Sequence, residues 1–111
     1  MPRFFEGELP ALMLGDVEGK SAAPAATAKV LEVQRASEYS FQPNAPFKGG
    51  YITRSFGEPE NGVHALQLEM SQRIYMEEGP PFVWREDLAA TLRPVLRACL
   101  TAFVDAVRAK Q

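Results

Sequence analysis

Glu69 is the residue whose setting most invites chemistry. It lies near the end of the run Ala65-Leu66-Gln67-Leu68-Glu69-Met70, and a carboxylate in an otherwise apolar strand is costly to bury unless a metal, a cation or a proton compensates it. At the carboxyl end of a central strand, such a group is placed to act as a general base on a bound water. Two structural alternatives stand beside that reading: Glu69 points outward from an edge strand, or it pairs with Arg73 four residues on. The loop Asn44-Ala45-Pro46-Phe47-Lys48-Gly49-Gly50 offers an amide, a cation and glycine backbone amides, a combination able to hold a carboxylate or an oxyanion. It lacks the glycine spacing of phosphate-binding loops, and its composition equally suits a plain loop of turn formers. Arg54 follows, with a guanidinium suited to bidentate binding of a substrate carboxylate or to a surface pair with Glu58 or Glu60.

Other polar positions read as structure. His64 opens the apolar strand, where a lone histidine is more often a hydrogen-bonded scaffold residue than a base or ligand. Asp16 follows a strand and precedes Gly19, the setting of an Asx-turn. Cys99 sits in an apolar helical stripe as an inert core thiol, and Tyr75, Met76, Phe82 and Trp84 read as packing residues. His64 is the single histidine and Cys99 the single cysteine. The chain therefore builds neither a zinc site of two or three imidazoles nor a cysteine-rich one, and it forms no internal disulfide.

The elements that must position these residues follow from pattern. Ala11 to Leu14 reads as a buried strand ending at Gly15-Asp16, and Pro2 to Pro10 before it shows no periodicity. Ser21 is placed to cap a helix over Ala22 to Ala36, with Pro24 in its first turn and Ala23, Ala26, Val30 and Val33 on one stripe. Tyr39 to Gln42 suggests a short strand, Pro43 to Gly50 an irregular loop, Tyr51 to Phe56 a second β-type segment, and Gly57 to Gly62 a turn. Val63 to Met70 reads as a mostly buried strand with Leu66, Leu68 and Met70 on one face and Ala65, Gln67 and Glu69 on the other. Ser71 to Met76 suggests one or two helical turns. From Glu86 to Ala109, apolar residues recur at spacings of three and four, which predicts an amphipathic helix kinked or divided at Pro94. Strand, helix, strand, strand, helix is an α/β order with a mixed sheet and flanking helices.

Composition narrows the function. The chain has 111 residues, 46% of them apolar, and a formal charge of −2. One small domain over residues 1–111 follows. The acidic balance and the lack of a long apolar run argue against nucleic-acid and membrane partners, and one cysteine without a secretory leader points to the cytoplasm.

Three ordered motifs then stand out: Leu14-Gly15-Asp16-Val17-Glu18-Gly19, Asn44 to Arg54, and His64 to Met70 with Tyr75-Met76. Together they resemble the C-terminal part of the N-formylglutamate amidohydrolase family, over residues 1–78. The resemblance implies a partial three-layer α/β fold akin to the zinc carboxypeptidases. It implies hydrolysis of N-formyl-L-glutamate, or a related N-acyl amino acid, to L-glutamate and formate in histidine degradation. It assigns the catalytic base to Glu69 and substrate binding to Asn44, Lys48, Gly49, Gly50 and Arg54. The family's zinc-binding histidines are absent from this chain, and Met1-Pro2 matches the tail of one such motif, His-Ser-Met-Pro. The expectation is that the metal ligands lie upstream and that the chain by itself is inactive. The alternative is a non-catalytic ligand-binding or interaction module.

Overall fold

A computed structural model describes residues 9–109; Met1-Pro2 and most of the segment to Pro10 lie outside them. The sheet has three strands, β1 (Leu12–Gly15), β2 (Phe41–Pro43) and β3 (Gln67–Met70), in the order β2-β1-β3. β1 runs parallel to β2, with Leu12 opposite Phe41, and antiparallel to β3, with Leu12 opposite Met70 and Gly15 opposite Gln67. The sheet is therefore mixed, as the pattern suggested. Its short central strand is wholly buried, which explains why it reads as an unbroken apolar run. Pro43 sits on an edge strand, where a missing N–H is tolerated, and the following amide, Asn44 N–H, donates to the Leu14 carbonyl at 2.7 Å.

Side-chain alternation divides the sheet into two unlike faces. Leu12 and Leu14 share one face with their opposite numbers Met70 and Leu68. Against that face pack both long helices, α1 (Pro24–Ala36) through Val30, and a helix over Glu86–Ala109 through Leu92 and Cys99. The other face carries Met13, Gln67 and Glu69. Within residues 9–109 the two long helices thus make one layer on one side of the sheet.

α1 begins with Pro24, whose fixed φ suits a first helical position, but Ser21 is not its cap. The N-cap is Ala23, with no side-chain cap. The Ser21 hydroxyl instead donates to the Ala65 carbonyl at 2.8 Å, and the Ala65 N–H donates to the Ser21 carbonyl. The stripe also shifts: Thr27 and Gln34 are buried with Ala26 and Val30, while Val33 is half-buried.

Residues Tyr51–Phe56 form a short helix, α2, and not a strand. Their β-type composition is overridden by anchoring at one residue. Thr53, 4% exposed, donates its hydroxyl to the Gly50 carbonyl at 3.1 Å, and the Arg54 amide donates to the same carbonyl. Tyr51, Ile52 and Phe56 point outward.

The 86–109 helix, α3, has the bounds its periodicity predicts and is not divided at Pro94. Proline removes one rung of the ladder, yet both Pro94 and Ala90, whose carbonyl loses its donor, are exposed and open to water. Phe82 and Trp84 are not interior packing residues: each is 54% exposed. Trp84 lies against Tyr75 with centroids 5.7 Å apart and donates its indole N–H to Glu86. No helix among the described residues is long and apolar enough to cross a membrane.

Candidate functional site

β3 is an edge strand of this sheet, not a central one, and its direction opposes β1. Glu69 therefore lies opposite Met13 in mid-sheet, half-buried, on the face away from α1 and α3. The edge position is the alternative raised for it; the pair with Arg73 is not formed. Arg73 donates to the Leu9 carbonyl at 2.8 Å, whereas Glu69 Oε1 accepts from the Gln67 amide, Nε2 to Oε1 3.0 Å. Gln67 Oε1 in turn accepts the Gly50 N–H at 2.7 Å. The carboxylate and the glycine loop are thus joined through one side chain, two positions along the same strand face.

The loop reaches this point because β1 ends in glycine. A Cβ on Gly15 would sit 2.7 Å from the Lys48 carbonyl carbon and oxygen, so only glycine lets the two backbones approach. Gly49 has φ +130° and would place a Cβ 2.9 Å from the Thr53 hydroxyl, so it too admits no side chain without strain.

Asn44 clamps the other side of the loop to the β1–α1 turn. Its Oδ1 accepts the amides of Asp16 and Glu18 at 3.1 and 3.2 Å, and its Nδ2 donates to Asp16 Oδ1 at 2.9 Å. Asp16 Oδ1 also accepts the Gly19 N–H at 2.8 Å, so the buried carboxylate serves the turn in the manner its spacing to Gly19 suggested. The clamp holds unusual backbone: Val17, Glu18 and Asn44 all have φ near +55°. For β-branched Val17 this is a strained conformation, worth on the order of 1–3 kcal/mol, that the surrounding bonds must enforce.

The cations stand further out. Lys48 Nζ is 3.0 Å from Glu18 Oε1, with both side chains more than half exposed. Arg54 is exposed on α2 and forms no pair with Glu58 or Glu60. Neither Lys48, Arg54 nor Asn44 is bonded to Glu69. His64 is a scaffold residue: its Nδ1 accepts the Ala23 N–H at 3.0 Å, at the start of α1. Cys99 is buried, and that burial pushes its thiol pKa up, with buried Gln34 beside it offsetting part of the rise; it is poorly disposed to react.

Gln67 and Thr53 are the residues that sequence reasoning passed over. Gln67 shares the Glu69 face in the alternation pattern, which was the available signal. Thr53 gave none, because its role depends on a helix that its composition disfavours.

Comparisons with known proteins bear on this arrangement. The model of the N-formylglutamate amidohydrolase family matches residues 1–76. The chain is 46% identical to an N-formylglutamate deformylase of Pseudomonas aeruginosa over 105 residues, which is 94% of this chain and 40% of that protein. The corresponding figures for the N-formylglutamate deformylase of Pseudomonas putida are 43%, 94% and 39%. The crystal structure of N-formylglutamate amidohydrolase from Ralstonia eutropha JMP134 superposes with a TM-score of 0.78 at 27% identity, over 95% of this chain and 37% of that one. The described chain thus spans about two fifths of the length of the relatives it matches. With the family model covering most of its residues, the chain belongs to the N-formylglutamate amidohydrolase family.

Proposed function

We propose that this chain supplies the base and the substrate loop of an enzyme that hydrolyses N-formyl-L-glutamate to L-glutamate and formate, a step of histidine degradation. The observation that carries the proposal is the placement of Glu69, on the sheet face that no long helix covers among the described residues, and tied through Gln67 to the Gly49-Gly50 loop. In the reaction Glu69 accepts a proton from the attacking water and passes it toward the departing amine. Lys48 and Arg54 are the groups with charge to hold the carboxylates of the substrate. Asn44 and the Gly50 N–H spend their polar atoms on the β1–α1 turn and on Gln67, so their part is to fix the loop in place, and Gly49 permits its close approach to Thr53.

Zinc is part of what the family resemblance implies, and the described residues do not fit it. No three His, Cys, Asp or Glu side chains converge on a point among them. His64 commits Nδ1 to Ala23, and Asp16 commits Oδ1 to Gly19 and Asn44. We propose that the zinc ligands, and the further layer of a zinc-carboxypeptidase-like fold, belong to the portion of the relatives that this chain does not span. A small-molecule substrate and a cytoplasmic setting go with the same reading.

The test is co-expression of this chain with the remaining N-terminal portion of the Pseudomonas aeruginosa relative, with formate release from N-formylglutamate as readout. Glu69→Gln should lower kcat by about 10²–10⁴-fold, the contribution of a positioned base. Turnover that survives the substitution would remove Glu69 from the role.

A further inference from the structure

Gln67 makes two hydrogen bonds of opposite sense with one amide group. Its Oε1 accepts the Gly50 N–H at 2.7 Å and lies 3.5 Å from the Thr53 hydroxyl; its Nε2 donates to Glu69 Oε1 at 3.0 Å. The orientation of the amide is dictated by its partners, because a backbone N–H only donates and an ionised carboxylate only accepts. Swapping Oε1 and Nε2 would face donor to donor at Gly50 and acceptor to acceptor at Glu69. We propose that Gln67 is a positioning residue that couples the Glu69 carboxylate to the Gly50 amide, so that the loop responds to the charge on the base.

The physical basis is polarisation along a short chain of bonds. A hydrogen bond to a carboxylate is roughly twice as strong as one to a neutral group, and it draws electron density through the amide, which alters Oε1 as an acceptor for Gly50. Protonating Glu69 weakens the first bond and, through it, the second. The inference rests on the reading of Glu69 as the base for its meaning in catalysis, but the coupling itself is a property of this chain. The other charged groups near the loop are Lys48 and Glu18, paired with each other at 3.0 Å, Asp16, whose Oδ1 accepts from Asn44 Nδ2 at 2.9 Å, and Arg54, whose backbone N–H shares the Gly50 carbonyl; the test must separate the response to Asp16 and Glu18 from that to Glu69.

The experiment uses the full chain labelled with ¹⁵N, following the Gly50 amide resonance from about pH 7 to about pH 3, across the carboxylate range. In the native chain the resonance should move over that range, and Glu18→Gln should leave the movement in place. Glu69→Gln should abolish the transition while leaving Gly50 exchange within about twofold of native, because the introduced amide still accepts from Gln67 Nε2. Gln67→Met should abolish the transition and speed exchange at Gly50 about tenfold. A Gly50 resonance that shows no transition in the native chain, or one that persists in Glu69→Gln, overturns the coupling. Those two measurements decide the matter even if Gln67→Met does not fold. A purely structural Gln67 would alter exchange in Gln67→Met without any pH response in the native chain. Failure of the base assignment shows separately, as turnover retained by Glu69→Gln in the co-expressed enzyme.

Discussion

The two faces of the sheet are held by different physics. Leu12, Leu14, Leu68 and Met70 are covered by α1 and α3 and held by apolar burial, which is non-directional and roughly proportional to area. The Glu69 face and the adjoining loop are held by directional bonds: Gln67 to Gly50 and Glu69, Asn44 to Asp16 and Glu18, Thr53 to Gly50. Such bonds contribute little each but are expensive to leave unmade when buried. The first face can absorb modest changes of shape, whereas the second depends on particular atoms at particular distances.

The sharpest way to break the first face is Leu14→Ala. Leu14 is buried against Val30 and Cys99, and truncation there should lower unfolding stability by about 2–5 kcal/mol, read as a fall in urea midpoint with little change in slope. Asn44→Ala attacks the second face. It leaves the Asp16 carboxylate and two amides short of a partner and should cost about 1–3 kcal/mol, with the loss of protection concentrated in residues 16–20 and 44–50. Equal loss of protection at α1 and β1 would show that the faces are not separable. Gly49→Ala, with φ +130° and Thr53 in the way, should cost about 1–3 kcal/mol. Gly62→Ala is its comparison, since that glycine has φ +79° and nothing within 4 Å of a Cβ, and the excess over it measures the close approach together with the more extreme φ of Gly49.

Smaller still is the effect of acid on α3. Arg93 and the Trp84 indole pull the Glu86 pKa from 4.5 down to about 2, and Arg85 lowers that of Asp87. A carboxylate depressed in the folded state stabilises it fully above its unfolded pKa and loses that contribution as pH falls through the folded one. Helix content should therefore decline gradually from about pH 4.5 toward pH 2. Both groups are exposed, so the decline should be modest and should shrink in salt; circular dichroism at two ionic strengths would show it.

What was legible in the sequence divides along the same line. The periodicity from Glu86 to Ala109 marked α3 at both ends, and the apolar run at Ala11–Leu14 marked β1, because a burial pattern is written in consecutive residues. Ser21 and Gln67 were misread or passed over because their partners lie 44 and 17 positions away and only the fold brings them into line; Thr53 has its partner three positions away, within a helix that its neighbours' composition disfavours. Tyr51 to Phe56 carries strand-favouring residues, yet three large ones face water and one buried threonine fixes a helix. Glu69 was read into a mostly buried strand, whereas all four residues of β3 are half-buried, and the order of strands, which put Glu69 on an edge, follows from pairing between distant segments.

Pro94 gives α3 a mechanical character that its unbroken outline conceals. With one rung missing from the ladder, the turns before it, pinned by Ala89 and Leu92, and the turns after it, pinned by Cys99, are joined by one backbone bond fewer than any other pair of turns in the helix. Under stress the helix should fray as two segments and not as one rod, the C-terminal segment leaving the Leu14 and Val30 cluster while the first still seals Leu12.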